Sequence, residues 1–119
     1  MTNELIPAPP KFTTRSLGKT CLVTGGAGYL GRTLVKRLRE AGCTVHSLDV
    51  LPHQGIDDGV KTFTGDIRHY NEISSAFEGV DTVFHTAALI NLLSLYRPAE
   101  RRFVYDVNCV GTQNVIRAA

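Results

Sequence analysis

Three features of the sequence predict an α/β fold built on a doubly wound parallel sheet. A glycine-rich turn, Thr24-Gly25-Gly26-Ala27-Gly28-Tyr29-Leu30-Gly31, stands between a short apolar run and a segment of helical spacing. Strand-length apolar runs then alternate with amphipathic stretches. The second of those runs ends on an acid, Asp49, 18 residues after Gly31. This pattern predicts about four strands with flanking helices over residues 19–119, behind a flexible, proline-containing leader over 1–18.

The first strand is Thr20-Cys21-Leu22-Val23-Thr24. Glycines follow at 25, 28 and 31, and the set 26, 28 and 31 also satisfies G-x-G-x-x-G. The first glycines allow the sharp strand-to-helix turn. Gly28 keeps side-chain bulk away from an approaching pyrophosphate, and Gly31 lets the helix pack close to the strand. The helix start at Tyr29 and Leu30 presents unpaired N–H groups and a partial positive charge to phosphates. Leu30, Leu34, Val35, Leu38 and Ala41 repeat at helical spacing behind the turn, and Gly42 is the expected stop.

The second strand covers 44–49. Asp49 closes it where a Rossmann unit places the carboxylate that accepts bonds from the adenosine ribose hydroxyls. A carboxylate there also repels a 2′-phosphate, so Asp49 favours NAD over NADP; the plain alternative is a polar residue at a strand end. Residues 50–59 have loop composition. A third strand spans 60–65 and is closed by Asp66-Ile67.

An amphipathic helix fits 69–77, with Ile73, Ala76 and Phe77 on one face and Gly79 as its stop. The fourth strand, 81–88, is mostly apolar, as expected of a strand covered on both sheet faces. Residues 89–97 are dense in apolar groups but precede Pro98. They read as a loop or short helical turn lining an apolar pocket, with core packing equally open. A last helix runs from Pro98, with Val104, Val107, Gly111, Val115 and Ala118 along one stripe. Gly111 costs about 1 kcal/mol there relative to alanine, which a close approach to the sheet or another helix would offset.

At 119 residues the chain has the size of one domain. A net charge of +2 with 20% charged residues gives no polyanion-binding surface, which argues against nucleic acid. Cys21, Cys43 and Cys109 are widely spaced and without metal-ligand spacing, and read as reduced core thiols of a cytoplasmic protein. No run approaches the roughly 18 apolar residues of a membrane span. The leader lacks the apolar core of a signal peptide and contains Pro7, Pro9 and Pro10.

The glycine turn, Gly65-Asp66-Ile67, Val83-Phe84-His85-Thr86-Ala87-Ala88 and Val107-Asn108-Cys109-Val110-Gly111-Thr112-Gln113-Asn114-Val115 resemble, in order, the landmarks of extended short-chain dehydrogenases/reductases. The wording from His85 to Ile90 and from Tyr105 to Asn108 is most similar to the 3β-hydroxysteroid dehydrogenase/isomerase branch. That resemblance implies NAD as cofactor and oxidation of a secondary alcohol on an apolar ring system, such as a 3β-hydroxysteroid. It implies that Asp66 bonds the adenine amino group, that the Ile67 backbone meets the ring edge, and that Ala87 and Ala88 pass beneath the nicotinamide-side ribose. It also implies that Asn108 braces the strand ends, solvent exposure being the alternative. His85 reads as a packed strand histidine rather than a base.

The family's hydride transfer uses a tyrosine with a lysine four residues later, because a phenol near pKa 10 is otherwise a sluggish base at neutral pH. Here Tyr29, Tyr70, Tyr96 and Tyr105 are followed at that distance by Thr33, Ser74, Glu100 and Cys109. The expectation is the N-terminal cofactor-binding portion of a longer enzyme, or a truncated product of its gene, binding without catalysing. A parallel sheet cut at that edge is expected to be marginally stable or to associate, for instance as a homodimer. The rival readings are a sugar-nucleotide epimerase or dehydratase, and a non-catalytic NAD(H)-sensing regulator.

Overall fold

The structure is a computed structural model that describes residues 20–55 and 59–119; the leader over 1–18 lies outside them. Strands β1 (Thr20–Thr24), β2 (Thr44–Asp49), β3 (Lys61–Thr64) and β4 (Thr82–His85) form one parallel sheet in the order β3-β2-β1-β4. The chain thus steps outward from β1 to β3, then returns to the other side of β1. That reversal opens a crevice at the carboxyl ends of β1 and β4, where ligands of open α/β sheets bind.

Alternation along β1 serves two cores. Cys21 and Val23 pack with Val35 and Leu38 of helix α1 (Tyr29–Glu40), and with Cys43, Val45 and Val60. Leu22 clusters instead with Leu48, Ile67, Ile73, Ala76, Phe77 and Val115. Each large side chain fully buried this way contributes about 1.5–3 kcal/mol. Both faces of the sheet are therefore covered at its centre, at β1 and β2.

Helix α1 ends where expected, with Gly42 at φ 87°. Its buried line runs Gly31, Val35 and Leu38, and Leu30 is 66% exposed. Leu30 is one residue, about 100°, off that line, which removes it from the expected apolar stripe. The expected helix over 69–77 is one α-helical turn, α2 (Tyr70–Ile73), tightened into a 3₁₀ turn over Ser74–Phe77. Ile73, Ala76 and Phe77 are buried as expected, and Gly79 leaves the turn at φ 71°.

Two expectations need correction. All four residues of β4 are half-buried rather than fully covered, because β4 is an edge strand among the described residues. Cys109 is exposed, whereas Cys21 and Cys43 are buried. Burial, and then the neighbouring Cys43 thiol, pushes the Cys21 thiol up to about 12, so it stays protonated and inert.

Residues 89–97 form a loop with a 3₁₀ turn, Leu92–Leu95, in which Asn91 accepts the Leu93 N–H at 2.9 Å. Ile90, Leu92, Leu95 and Tyr96 are exposed, so core packing does not hold for them. The last helical segment is α3 (Pro98–Tyr105), a π turn over Asp106–Val110, and α4 (Gly111–Ala118). A Cβ on Gly111 would stand 2.5 Å from Ile67 Cδ1, so the glycine permits the close approach that offsets its helical cost. Among the described residues no helix is long and apolar enough to cross a membrane.

Candidate functional site

The glycine turn is held from below. Gly25, at φ 70°, and Gly26 both donate their N–H groups to the Leu48 carbonyl, at 2.8 and 3.2 Å. A Cβ on Gly25 would lie 2.9 Å from the Ala87 nitrogen, so the ends of β1 and β4 touch there. A Cβ on Gly26 would overlap the buried Ser47 hydroxyl, and one on Gly31 would overlap the Gly25 carbonyl. Gly28 caps α1 without a side-chain bond, leaving the first-turn N–H groups without an intrahelical acceptor.

Around this turn the carboxyl ends of the strands enclose a cleft of about 410 Å³. Gly25, Gly28, Asp49, Asp66, Ile67, Ala87 and Ala88 all line it, so the structure brings most of the expected residues together. Tyr29, Leu30 and Gly31 lie outside that lining; Tyr29 is 95% exposed on the first turn of α1. Leu89, Phe103 and Val107 add an apolar wall.

The two acids are pre-set differently. Asp49 accepts the Ala27 N–H at 3.0 Å through Oδ2 and the Leu51 N–H at 2.9 Å through Oδ1. It therefore ties the glycine turn to the end of β2. Asp66 faces Arg68, whose Nη2 lies 2.6 Å from Oδ2. Hydrogen bonding to that guanidinium holds the Asp66 carboxyl below its ordinary value, keeping it ionised near neutrality.

A polar chain behind the cleft joins three elements. The Thr112 hydroxyl donates to the Asn108 carbonyl at 2.7 Å and so accepts from His85 Nε2–H at 2.9 Å. His85 Nδ1 then accepts from the Thr24 hydroxyl at 2.6 Å, and Thr24 Oγ1 accepts the Ala87 N–H at 3.2 Å. These directions assign a neutral Nε2–H tautomer. Burial lowers the His85 pKa in the same sense. His85 is thus the packed strand histidine the sequence suggests.

Asn108, inside the π turn, donates to the Leu89 carbonyl and accepts the Leu89 N–H, both at 2.8 Å. It braces the loop after β4, and the solvent-exposed alternative does not hold. The Thr24–His85–Thr112 chain and the Arg68–Asp66 pair were not legible in the sequence as site features. A threonine one turn beyond Asn108 was the available signal for the first, and an arginine two residues beyond an acid for the second. A further pair, the Ser47 hydroxyl 2.8 Å from His53 Nε2, sits beside Asp49.

A pH dependence follows from His85. Its folded pKa lies below the unfolded value near 6.5, so the unfolded chain binds more protons between the two. The stability it contributes is complete above about 6.5 and is lost as pH falls through that value towards the folded pKa. Thermal melting followed from pH 7.5 to 5.5 should show a falling Tm, and His85→Gln should flatten that slope. An unchanged slope in the variant would assign the acid sensitivity elsewhere.

A profile of the 3-beta hydroxysteroid dehydrogenase/isomerase family matches residues 22–119. A 3-beta-hydroxysteroid dehydrogenase of Mycolicibacterium neoaurum is 39% identical over 100 residues, covering 82% of this chain and 27% of that protein. A short-chain dehydrogenase/reductase superfamily protein of Agrobacterium tumefaciens, crystallised with bound NAD, superposes with a TM-score of 0.71 at 34% identity, covering 84% of this chain and 28% of that one. A UDP-glucose 4-epimerase of Thermus thermophilus in complex with NAD gives a TM-score of 0.71 at 31% identity, over 83% of this chain and 33% of its own. The chain spans about a quarter to a third of the length of these proteins. With the profile covering nearly all the described residues and the parallel sheet agreeing, this chain belongs to the 3-beta hydroxysteroid dehydrogenase/isomerase family.

Proposed function

We propose that this chain is the NAD-binding portion of an oxidoreductase that oxidises a secondary alcohol, of the 3β-hydroxysteroid class, by hydride transfer to NAD. The carrying observation is that one cleft at the strand-order reversal gathers the glycine turn, both strand-end acids and the Ala87-Ala88 pair. The donor set suits a dinucleotide. An uncapped helix start beside side-chain-free backbone suits a pyrophosphate, and the two carboxylates at the ends of β2 and β3 suit hydroxyl and amino donors.

In this reading the backbones of Gly25, Gly28, Tyr29 and Leu30 meet the pyrophosphate, and Gly31 lets α1 pack close enough to the turn to present them. Asp49 accepts from the adenosine ribose, Asp66 from the adenine amino group, and the Ile67 backbone meets the adenine edge. Ala87 and Ala88 leave room for the nicotinamide ribose, and Asn108 keeps that loop in place through Leu89. NAD, when bound, supplies the hydride acceptor. This chain contains no tyrosine with a lysine four residues on, so it binds and orients without supplying the proton acceptor.

The sterol class is supported by the apolar wall of Leu89, Phe103 and Val107. The likeness to a UDP-glucose 4-epimerase keeps a nucleotide sugar as the second reading. A reducing, cytoplasmic setting suits the free buried thiols Cys21 and Cys43.

Calorimetric titration of NAD and NADP into the protein at its natural length tests the cofactor assignment. NAD is expected to bind at least tenfold more tightly. Equal or tighter NADP binding would overturn the role of Asp49.

A further inference from the structure

We propose that Arg68 is a positioning residue that aims Asp66 at the adenine amino group, an inference that rests on the NAD reading above. The side chain is held at two points. Its Nε lies 3.1 Å from Asp66 Oδ1 and 3.0 Å from Oδ2, and its Nη2 lies 2.6 Å from Oδ2. Its guanidinium carbon stands 4.8 Å from the centroid of the Phe103 ring on α3, within cation–π range.

Asp66 also accepts the Arg68 backbone N–H at 2.9 Å through Oδ1. Three N–H groups, the backbone one, Nη2–H and an Nε–H shared between both oxygens, therefore make four contacts to a carboxylate with about four lone-pair sites. Because Nε–H is shared, at most about one acceptor site remains, and the carboxylate cannot rotate without breaking the fork. A planar, two-point arginine contact fixes both the position and the plane of its partner, which a lysine cannot do.

Asp66, Arg68 and Phe103 all line the cleft. The remaining acceptor site thus belongs to a group whose direction is set by α3 through Phe103, as well as by the loop after β3. A base that presents an N–H there is favoured, and one that presents a carbonyl oxygen meets a fixed carboxylate oxygen. Arg68 therefore converts a strand-end acid into a discriminator of the exocyclic group.

The test compares NADH with reduced nicotinamide hypoxanthine dinucleotide, which replaces the adenine amino group by a carbonyl. Fluorescence titration of the protein at its natural length is expected to show about tenfold tighter binding of NADH, the scale of one hydrogen bond to a charged acceptor. In Arg68→Met that ratio is expected to fall below about threefold. Arg68→Lys, which retains the charge and has the better prospect of folding, is expected to fall between the two. A Tm measured in parallel shows whether each variant is folded at the assay temperature.

A ratio unchanged in folded Arg68→Lys overturns the positioning role and leaves the NAD reading intact. Wild-type binding of both dinucleotides without discrimination overturns the Asp66 contact, and with it the role of Arg68. Wild-type protein that binds neither overturns the NAD reading itself.

Discussion

Gly31→Ala is expected to destabilise the fold by about 3 kcal/mol, the upper end for overpacking a well-packed site, and to remove measurable NAD binding. The added Cβ would overlap the Gly25 carbonyl oxygen, and would stand 2.7 Å from its carbon and 2.9 Å from Gly26 Cα. These are backbone atoms, so no side chain can rotate away. Helix α1 must lift off the turn, which pulls Gly25 and Gly26 from their shared acceptor, the Leu48 carbonyl.

Gly28→Ala separates the two effects. Its Cβ would meet only the Gly25 carbonyl oxygen, at 3.3 Å, a contact relieved by a shift of a few tenths of an ångström. Stability is therefore expected to change by less than about 1 kcal/mol, within the range of tolerated substitutions. Dinucleotide binding should still weaken strongly, because the methyl group would stand on the cleft lining. Denaturant titration and calorimetry on both variants read these outcomes independently. A Gly31→Ala protein with native stability would refute the packing role of that glycine.

The contrast between these glycines shows what was legible in the sequence and why. Residue type reports backbone demands well. Gly42 and Gly79 stop their helices at positive φ, and the cost of Gly111 inside a helix signalled a close approach, which the structure makes to Ile67 in the turn after β3 rather than to the sheet or another helix. Period reports which face is buried, but only to within one residue, so the helical spacing points to Leu30 where Gly31 in fact occupies the buried line. Composition does not report a strand's neighbours. The apolar run at β4 predicted coverage on both faces, yet an edge position leaves it half-buried.

Side-chain pairing across distant segments was least legible. His85 meets Thr24 and Thr112 only because β4 lies beside β1 and the π turn brings α4 over both. The π turn itself carries no sequence signal apart from Asn108, a poor helix former whose bonds to Leu89 replace what the regular helix would offer. Arg68 carries little sequence signal of its own, because its two anchors, Asp66 and Phe103, belong to different elements.

Asp49→Asn is expected to narrow the preference for NAD over NADP by at least tenfold, from both sides at once. The carboxylate spends two of its roughly four lone-pair sites on the Ala27 and Leu51 N–H groups, and in the proposed complex the others face the ribose. In asparagine one oxygen becomes an NH₂ group, so one backbone N–H loses its acceptor and NAD binding weakens. The negative charge also goes. A like charge about 4 Å from a phosphate costs on the order of 1 kcal/mol in bulk water and about 4 near a protein surface, so NADP binding improves. Tenfold corresponds to about 1.4 kcal/mol, well inside that range.

Asp49→Glu tells the two contributions apart. It keeps the charge but moves it by one methylene, so the bonds to Ala27 and Leu51 should suffer while NADP stays excluded. The glutamate variant is therefore expected to bind NAD more weakly with its preference largely retained, and the asparagine variant to lose the preference. Calorimetric titration of both dinucleotides into both variants reads the difference. If the two variants shift alike, Asp49 acts through the geometry of the glycine turn alone, and its charge does not choose the cofactor.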